Sequence, residues 1–290
     1  MAQNIITDID TKKPIPFARY EYADIRGYAD LNGLINVNLQ KNDTLKLYAL
    51  GFEKKLVVKD EVLSRKNLFM FSKIEKLDTV TLQMYRSKKI LEAGTESKRN
   101  GFRRFPIGYE SRYLIELTPV DLSKSLRIDN IRFFFSDLKQ ESRYAKKEGK
   151  QFALKFSVLN QDFETIHEQL YLSKTGNFEN TVDFDFSKTR VFIESETLYI
   201  VIENLGDLND DGSFSNFKRS IMLLLTEKVF NQFNLKSFLA SATNARQELV
   251  PLTNIFHNAY KDGDIKAPTG LPPTEVYNLN PMMEFTVTEY

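Results

Sequence analysis

Residues whose types and spacing could do chemistry are concentrated at Asp207-Leu208-Asn209-Asp210-Asp211-Gly212-Ser213. A calcium loop of the helix-loop-helix kind needs oxygen ligands at its first, third and fifth positions and glycine at its sixth. Asp207, Asn209, Asp211 and Gly212 fill those places, and Ser213 offers a carbonyl at the next. The twelfth position, where a bidentate glutamate is required, is Lys218. Two ligand oxygens are lost there and a positive charge is gained. A carboxylate from elsewhere, such as Glu203 or Asp264, would have to complete the site. The flanking runs read as strands and not as helices. The plainer reading is a polar hairpin turn, in which Asp and Asn accept from nearby backbone N–H groups and glycine takes a positive φ. Calcium is the one cofactor the residues allow for, bound weakly and structurally.

Other reactive constellations are sparse. Asp183 and Asp185 share one face of "VDFDF" and could serve glycoside hydrolysis if they faced a cleft. The competing expectation is a solvated strand face opposite Val182, Phe184 and Phe186. There are no cysteines, which excludes disulfides, thiolate metal sites and cysteine nucleophiles. The two histidines, His167 and His257, lie far apart, and no nucleophile stands beside either. No phosphate loop, nucleophile elbow or zinc-protease motif occurs. The expectation is a protein that is not an enzyme. Forty Lys and Arg against 39 Asp and Glu leave a net charge of +1, which argues against a dedicated nucleic-acid binder. The basic cluster Lys98, Arg99, Arg103 and Arg104 reads as a solvated loop.

The elements that position these residues are strands. Phe (23) and Tyr (13) are abundant while Trp is absent, and period-two alternation recurs along the chain. "QFALKFSVL" sets Phe152, Leu154, Phe156 and Val158 on one face, and "LINVNL", "TVDFDF" and "MEFTVTEY" alternate likewise. Many short alternating runs separated by turn residues predict an all-β sandwich or barrel. The exception is "VFNQFNLKSFLASATNARQEL", whose apolar spacing predicts a short helical segment near 229–249. Between Arg86 and Arg104 alternation stops, and a linker or crossing loop is expected. "KAPTGLPPTEVYNLNP" predicts a long loop near 250–280, which carries Phe256, Tyr260 and Tyr277 as candidate partner-binding residues. No apolar run approaches the roughly 18 residues of a membrane-spanning helix.

The opening segment adds a resemblance. Pro14-Ile15-Pro16 follows the polar turn Asp10-Thr11-Lys12-Lys13; Asp30-Leu31-Asn32-Gly33 and Leu50-Gly51-Phe52 follow in order. This pattern resembles the carboxypeptidase regulatory-like domain, a transthyretin-like β-sandwich of Bacteroidetes cell-envelope proteins. It departs from that family at "DIRGYADLNG", where a threonine-rich strand is usual. The later segments "DNIRFFFSD", "KFSVLN", "TVDFDFS" and "LYIVIENLGD" resemble a jelly-roll-like β-sandwich of unknown function. The resemblances imply two domains, 1–87 and 88–290, without the metallopeptidase catalytic domain. They also imply export to the periplasm, the outer-membrane surface or the medium. Ala2-Gln3 is then what a signal-peptidase cut leaves, the alternative being Met1 as a native start. The expected role is non-catalytic docking to an outer-membrane or secreted protein. Glycan recognition at the cell surface is the alternative, with glycoside hydrolysis behind it.

Overall fold

The computed structural model describes residues 2–40, 43–73, 87–93, 103–109, 111–120, 126–135, 151–173, 180–186, 189, 191–193, 197–215, 220–226, 233–241, 249–251 and 280–289. Nearly all of its regular structure is β, as the alternation predicts.

The first group of elements comprises β1 (Ala2–Asp8), β2 (Arg19–Tyr22), β3 (Ile25–Tyr28), β4 (Leu34–Val37), β5 (Thr44–Tyr48) and β6 (Lys55–Val58). The six-residue helix α1 (Lys59–Ser64) and β7 (Asn67–Met70) complete it. They form a three-stranded sheet, β4-β1-β7, and a four-stranded sheet, β3-β2-β5-β6. β1 runs antiparallel to β4 and parallel to β7. Ile6, Ile35, Val37, Leu45, Leu47, Val57, Leu68 and Met70 are buried in one cluster. In β4 Ile35 and Val37 point inward while Asn36 is exposed, the simple period of a half-buried strand. The turn before it is built by Asp30, whose Oδ1 accepts the N–H groups of Asn32 and Leu34, each at 2.9 Å. Gly33 closes the turn at φ +72°, and a Cβ there would stand 2.7 Å from the Ile6 carbonyl oxygen. Only glycine meets both demands.

The second group begins with β8 (Ser87–Ala93), β9 (Arg103–Ile107), β10 (Ser111–Pro119), β11 (Leu126–Phe134) and β12 (Gln151–Leu159). It continues with β13 (Thr165–Leu172), β14 (Thr181–Asp185), β15 (Val191–Ile193), β16 (Leu198–Leu208) and β17 (Ile221–Thr226). The last strands are β18 (Phe233–Ser241), β19 (Val250–Pro251), β20 (Asn280–Pro281) and β21 (Met283–Glu289). A six-stranded sheet has the order β13-β12-β16-β10-β18-β19. A second sheet has the order β14-β11-β21-β8, with β15 also on β11, and a three-stranded sheet is β20-β17-β9. The facing sheets enclose an aromatic core that includes Phe133, Phe156, Phe184, Phe233 and Phe285. Such sandwich-like packing of sheets is what removes alternating apolar faces from water.

Two expectations are corrected. Within 229–249, Phe233–Ser241 is a strand and not a helix, and it pairs with β10 over its whole length. Phe233, Leu235 and Leu239 join the aromatic core, whereas Phe238 and Ala240 join a second apolar cluster with Leu114 and Val201. A strand apolar on both faces loses strict alternation, and its residual spacing imitates a helical stripe. The expected linker between Arg86 and Arg104 contains β8, paired with β21, and β9, paired with β17. Arg103 and Arg104 are therefore strand residues opposite Leu225 and Leu224. Phe256, Tyr260, Tyr277, His257, Asp264, Lys98 and Arg99 lie outside the described residues.

Candidate functional site

Among the described residues, the most chemically developed place is where the four-stranded sheet meets the six-stranded one. Three adjacent strands of the larger sheet each carry a buried charged residue within a largely apolar run. Pairing puts them in a row: Arg112 on β10 opposite Glu203 on β16, and Glu203 opposite Lys155 on β12. All three are buried. Arg112 Nε lies 2.6 Å from Glu203 Oε1, an ionic contact too bent to be a well-aligned hydrogen bond. Lys155 Nζ reaches Glu168 Oε2 at 2.9 Å. From the other group of strands, the Tyr28 hydroxyl donates to Glu203 Oε2 at 2.5 Å, and Lys155 Nζ sits 4.9 Å from the centre of the Tyr28 ring. Charges taken this far from water are tolerable only with such complementary partners.

Burial pushes the Glu203 carboxyl up, but Arg112, Lys155, the Tyr28 hydroxyl and Arg26 together outweigh it and leave the pKa below its usual value of 4.5. Burial, followed by the Glu203 charge, pushes the Tyr28 phenol up. Tyr20 is likewise pushed up to about 12, chiefly by burial. A carboxyl depressed by folding contributes stability that is full above its unfolded pKa and is lost as pH falls through the folded value. Urea midpoints are therefore expected to hold from neutral pH to near 4.5 and to drop below it. A Glu203→Gln chain, measured alongside, should lose less over the same acid range.

Beside the charged row lies a cleft of about 340 Å3, lined in part by Tyr20, Arg26, Tyr28, Tyr109, Asn204 and Phe214. Two glycines make room for its tyrosine rings. A Cβ on Gly27 would fall 2.4 Å from the Tyr20 hydroxyl, and one on Gly206 would fall 2.9 Å from the Tyr109 ring. Arg26 is held by Glu21, whose Oε1 accepts from Nε at 3.1 Å and from Nη2 at 3.0 Å. Asn204 is committed to the backbone, donating to the Ile107 carbonyl and accepting from the Gly206 N–H, each at 3.0 Å.

The acidic loop borders this cleft and has the hydrogen bonding of a turn. Asp211 Oδ1 accepts from the Ser213 N–H at 2.9 Å and from the Ser213 hydroxyl at 2.6 Å. Those same bonds hold the Asp211 carboxyl below its usual value. Asn209 donates to Ser213 Oγ at 2.9 Å, and Gly212 adopts φ +81°. Asp207 is buried near the end of β16, away from the exposed Asp210 and Asp211. The loop also joins the two groups of strands: the Leu31 N–H donates to the Gly212 carbonyl and the Asn32 amide to the Asp211 carbonyl. Among the described residues no group of three or more His, Cys, Asp or Glu side chains is placed to hold a metal ion.

The remaining candidates are placed elsewhere. Asp183 and Asp185 sit on the exposed face of β14, where Asp183 Oδ1 accepts from Arg132 Nε at 2.9 Å. His167 lies with its ring on Phe184 and Phe186, and its Nδ1 is 2.8 Å from the Thr189 hydroxyl. Sequence reasoning named Glu203 only as a carboxylate to complete the acidic loop, whereas it is engaged by Arg112 and Tyr28, and it missed the charged row and the cleft. A signal was present: "ESRYLIEL", "FALKFSVL" and "LYIVIENL" each interrupt a buried run with a charge.

No protein-family model matches the chain, and no curated protein matches it. Among solved structures, one similar chain contains the cysteine protease and lectin-like domains of Cwp84, a surface layer associated protein of Clostridium difficile. It is 9% identical over 92% of this chain and 50% of its own length, at a TM-score of 0.32. The VP2 subviral particle of infectious bursal disease virus is 11% identical over 94% of this chain and 58% of its own length, at a TM-score of 0.24. This chain thus spans 50% and 58% of their respective lengths. At these TM-scores neither likeness bears on family or function.

Proposed function

We propose that the chain is a non-catalytic binding and assembly protein of the cell envelope that docks to an outer-membrane or secreted protein. Export, the transthyretin-like character of 1–87 and the jelly-roll-like character of 88–290 belong to this proposal. The observation that supports it most is the edge strand β6. It borders its sheet, and among the described residues its outer side has no strand partner. It also presents Leu56 and Val58 to solvent, each 59% exposed, with Leu63 exposed on the helix that follows. Lys46 stands across from Leu56 on the neighbouring strand, and Lys54 and Lys55 precede it. Edge lysines discourage pairing between copies of one chain. An added strand from a different protein, with an acidic border, suits such an edge. Among the described residues no helix is long and apolar enough to cross a membrane.

The test is capture from envelope and culture-medium fractions of the source organism. The wild-type chain is expected to retain a stoichiometric protein that the double variant Leu56→Asp, Val58→Asp loses. A wild-type chain that retains nothing, or a double variant that captures as well, would overturn the docking role. The tyrosine-lined cleft favours a second reading, glycan recognition at the cell surface. A glycan array tests it, with binding to a neutral or acidic oligosaccharide as the supporting result.

A further inference from the structure

We infer that the cleft between the two groups of strands is a binding site for a small organic or inorganic oxyanion, a carboxylate or phosphate no larger than a monosaccharide acid, with Arg26 as the group that recognises its charge. This goes beyond the docking role and does not depend on it.

The first support is the state of Arg26. Its side chain is only 1% exposed, yet it lines the cleft. Nε and Nη2 are satisfied by Glu21, while Nη1 has no acceptor among the described residues. A buried guanidinium with an unfilled donor is costly, and an oxyanion is the acceptor that guanidinium geometry fits best. Glu21 does not fully neutralise it, because Arg19 Nε also lies 3.5 Å from the same oxygen. Burial, then the nearby Arg112, disfavours the Arg26 cation more than Tyr28 and Glu203 favour it.

The second support is the shape and lining of the cleft. Its volume of about 340 Å3 suits a small ligand. Tyr20 and Phe214 add aromatic side chains to the lining, suited to an organic body. Asp30, the acidic residue of the lining, is turned toward its own loop, where Oδ1 accepts from Asn32 and Leu34. The cationic group of the lining thus keeps one donor unfilled, while the acidic one is engaged.

Isothermal titration of the whole chain in a low-salt amine buffer tests the site with three probes: inorganic phosphate, glucuronate and glucose. Binding of phosphate or glucuronate without glucose is expected, and which acid binds identifies the head group. Arg26→Met should weaken that binding by at least about tenfold, the loss that one charge-assisted hydrogen bond brings. Since Arg26 also holds Glu21, a second measurement on the wild-type chain keeps the test open if the variant does not fold. The Arg26 Nε–H resonance should move on adding the acid and stay in place on adding glucose. Failure of both acids to bind, equal binding of glucose, or an unaltered affinity in Arg26→Met would overturn the inference.

Discussion

Replacing Glu203 by alanine is expected to cost about 3–5 kcal/mol of unfolding free energy, the usual result of removing one partner from a buried ionic group. The substitution leaves Arg112 and Lys155 as cations in a place closed to water, and it strands the Tyr28 hydroxyl. Lys155 keeps Glu168, whereas Arg112 keeps no carboxylate among the ion pairs described. The instructive comparison replaces the whole row, with Arg112→Met, Glu203→Leu and Lys155→Leu together. That chain should recover most of the lost stability, because apolar side chains of similar volume carry no desolvation cost. Urea denaturation of the three chains decides the matter. A single-substitution loss below about 1 kcal/mol, the range of exposed pairs, would show that the row is solvated.

The second large effect concerns the core. Phe156 on β12 is fully buried, and its ring centre lies 5.4 Å from Phe133 on β11 and 5.4 Å from Phe184 on β14. It therefore spans the gap between the six-stranded sheet and the sheet facing it. Phe156→Ala should cost about 3–5 kcal/mol, the combined loss of buried area and of the packing around the resulting cavity. Phe156→Leu refills part of that space and should cost clearly less. Thermal and urea unfolding measure both. A loss for alanine no larger than that for leucine would contradict the inter-sheet role of the ring.

These two residues differ in how openly they are written in the chain. Phe156 belongs to a run whose period-two spacing is unmistakable, and β4, β14 and β21 announce themselves in the same manner. Their periodicity is local, so it survives without knowledge of the partner strand. β8 and β9 give no such signal, because what fixes them is pairing to β21 and β17, far along the chain. β18 misleads for the opposite reason: it is covered by apolar clusters on both faces. The cleft was hidden by its dispersal. Arg26 and Tyr28 fall within "DIRGYADLNG", and their partners arrive with residues 109, 112, 155 and 203 to 214. The acidic loop was legible as a turn, but its attachment to Leu31 and Asn32 was not, since no local pattern encodes a contact that ends on distant backbone carbonyls.

The place of β21 bears on how the chain is made. That strand lies between β11 and β8 in its sheet. A ribosome emits β8 and β11 before residues 283–289, so two strand edges that finally flank a common neighbour must wait for it while the intervening residues are made. Contacts so distant in sequence close slowly, and an open strand edge in the meantime invites pairing with other nascent chains. Nascent chains stalled before residue 283 are thus expected to aggregate more readily than chains that include β21.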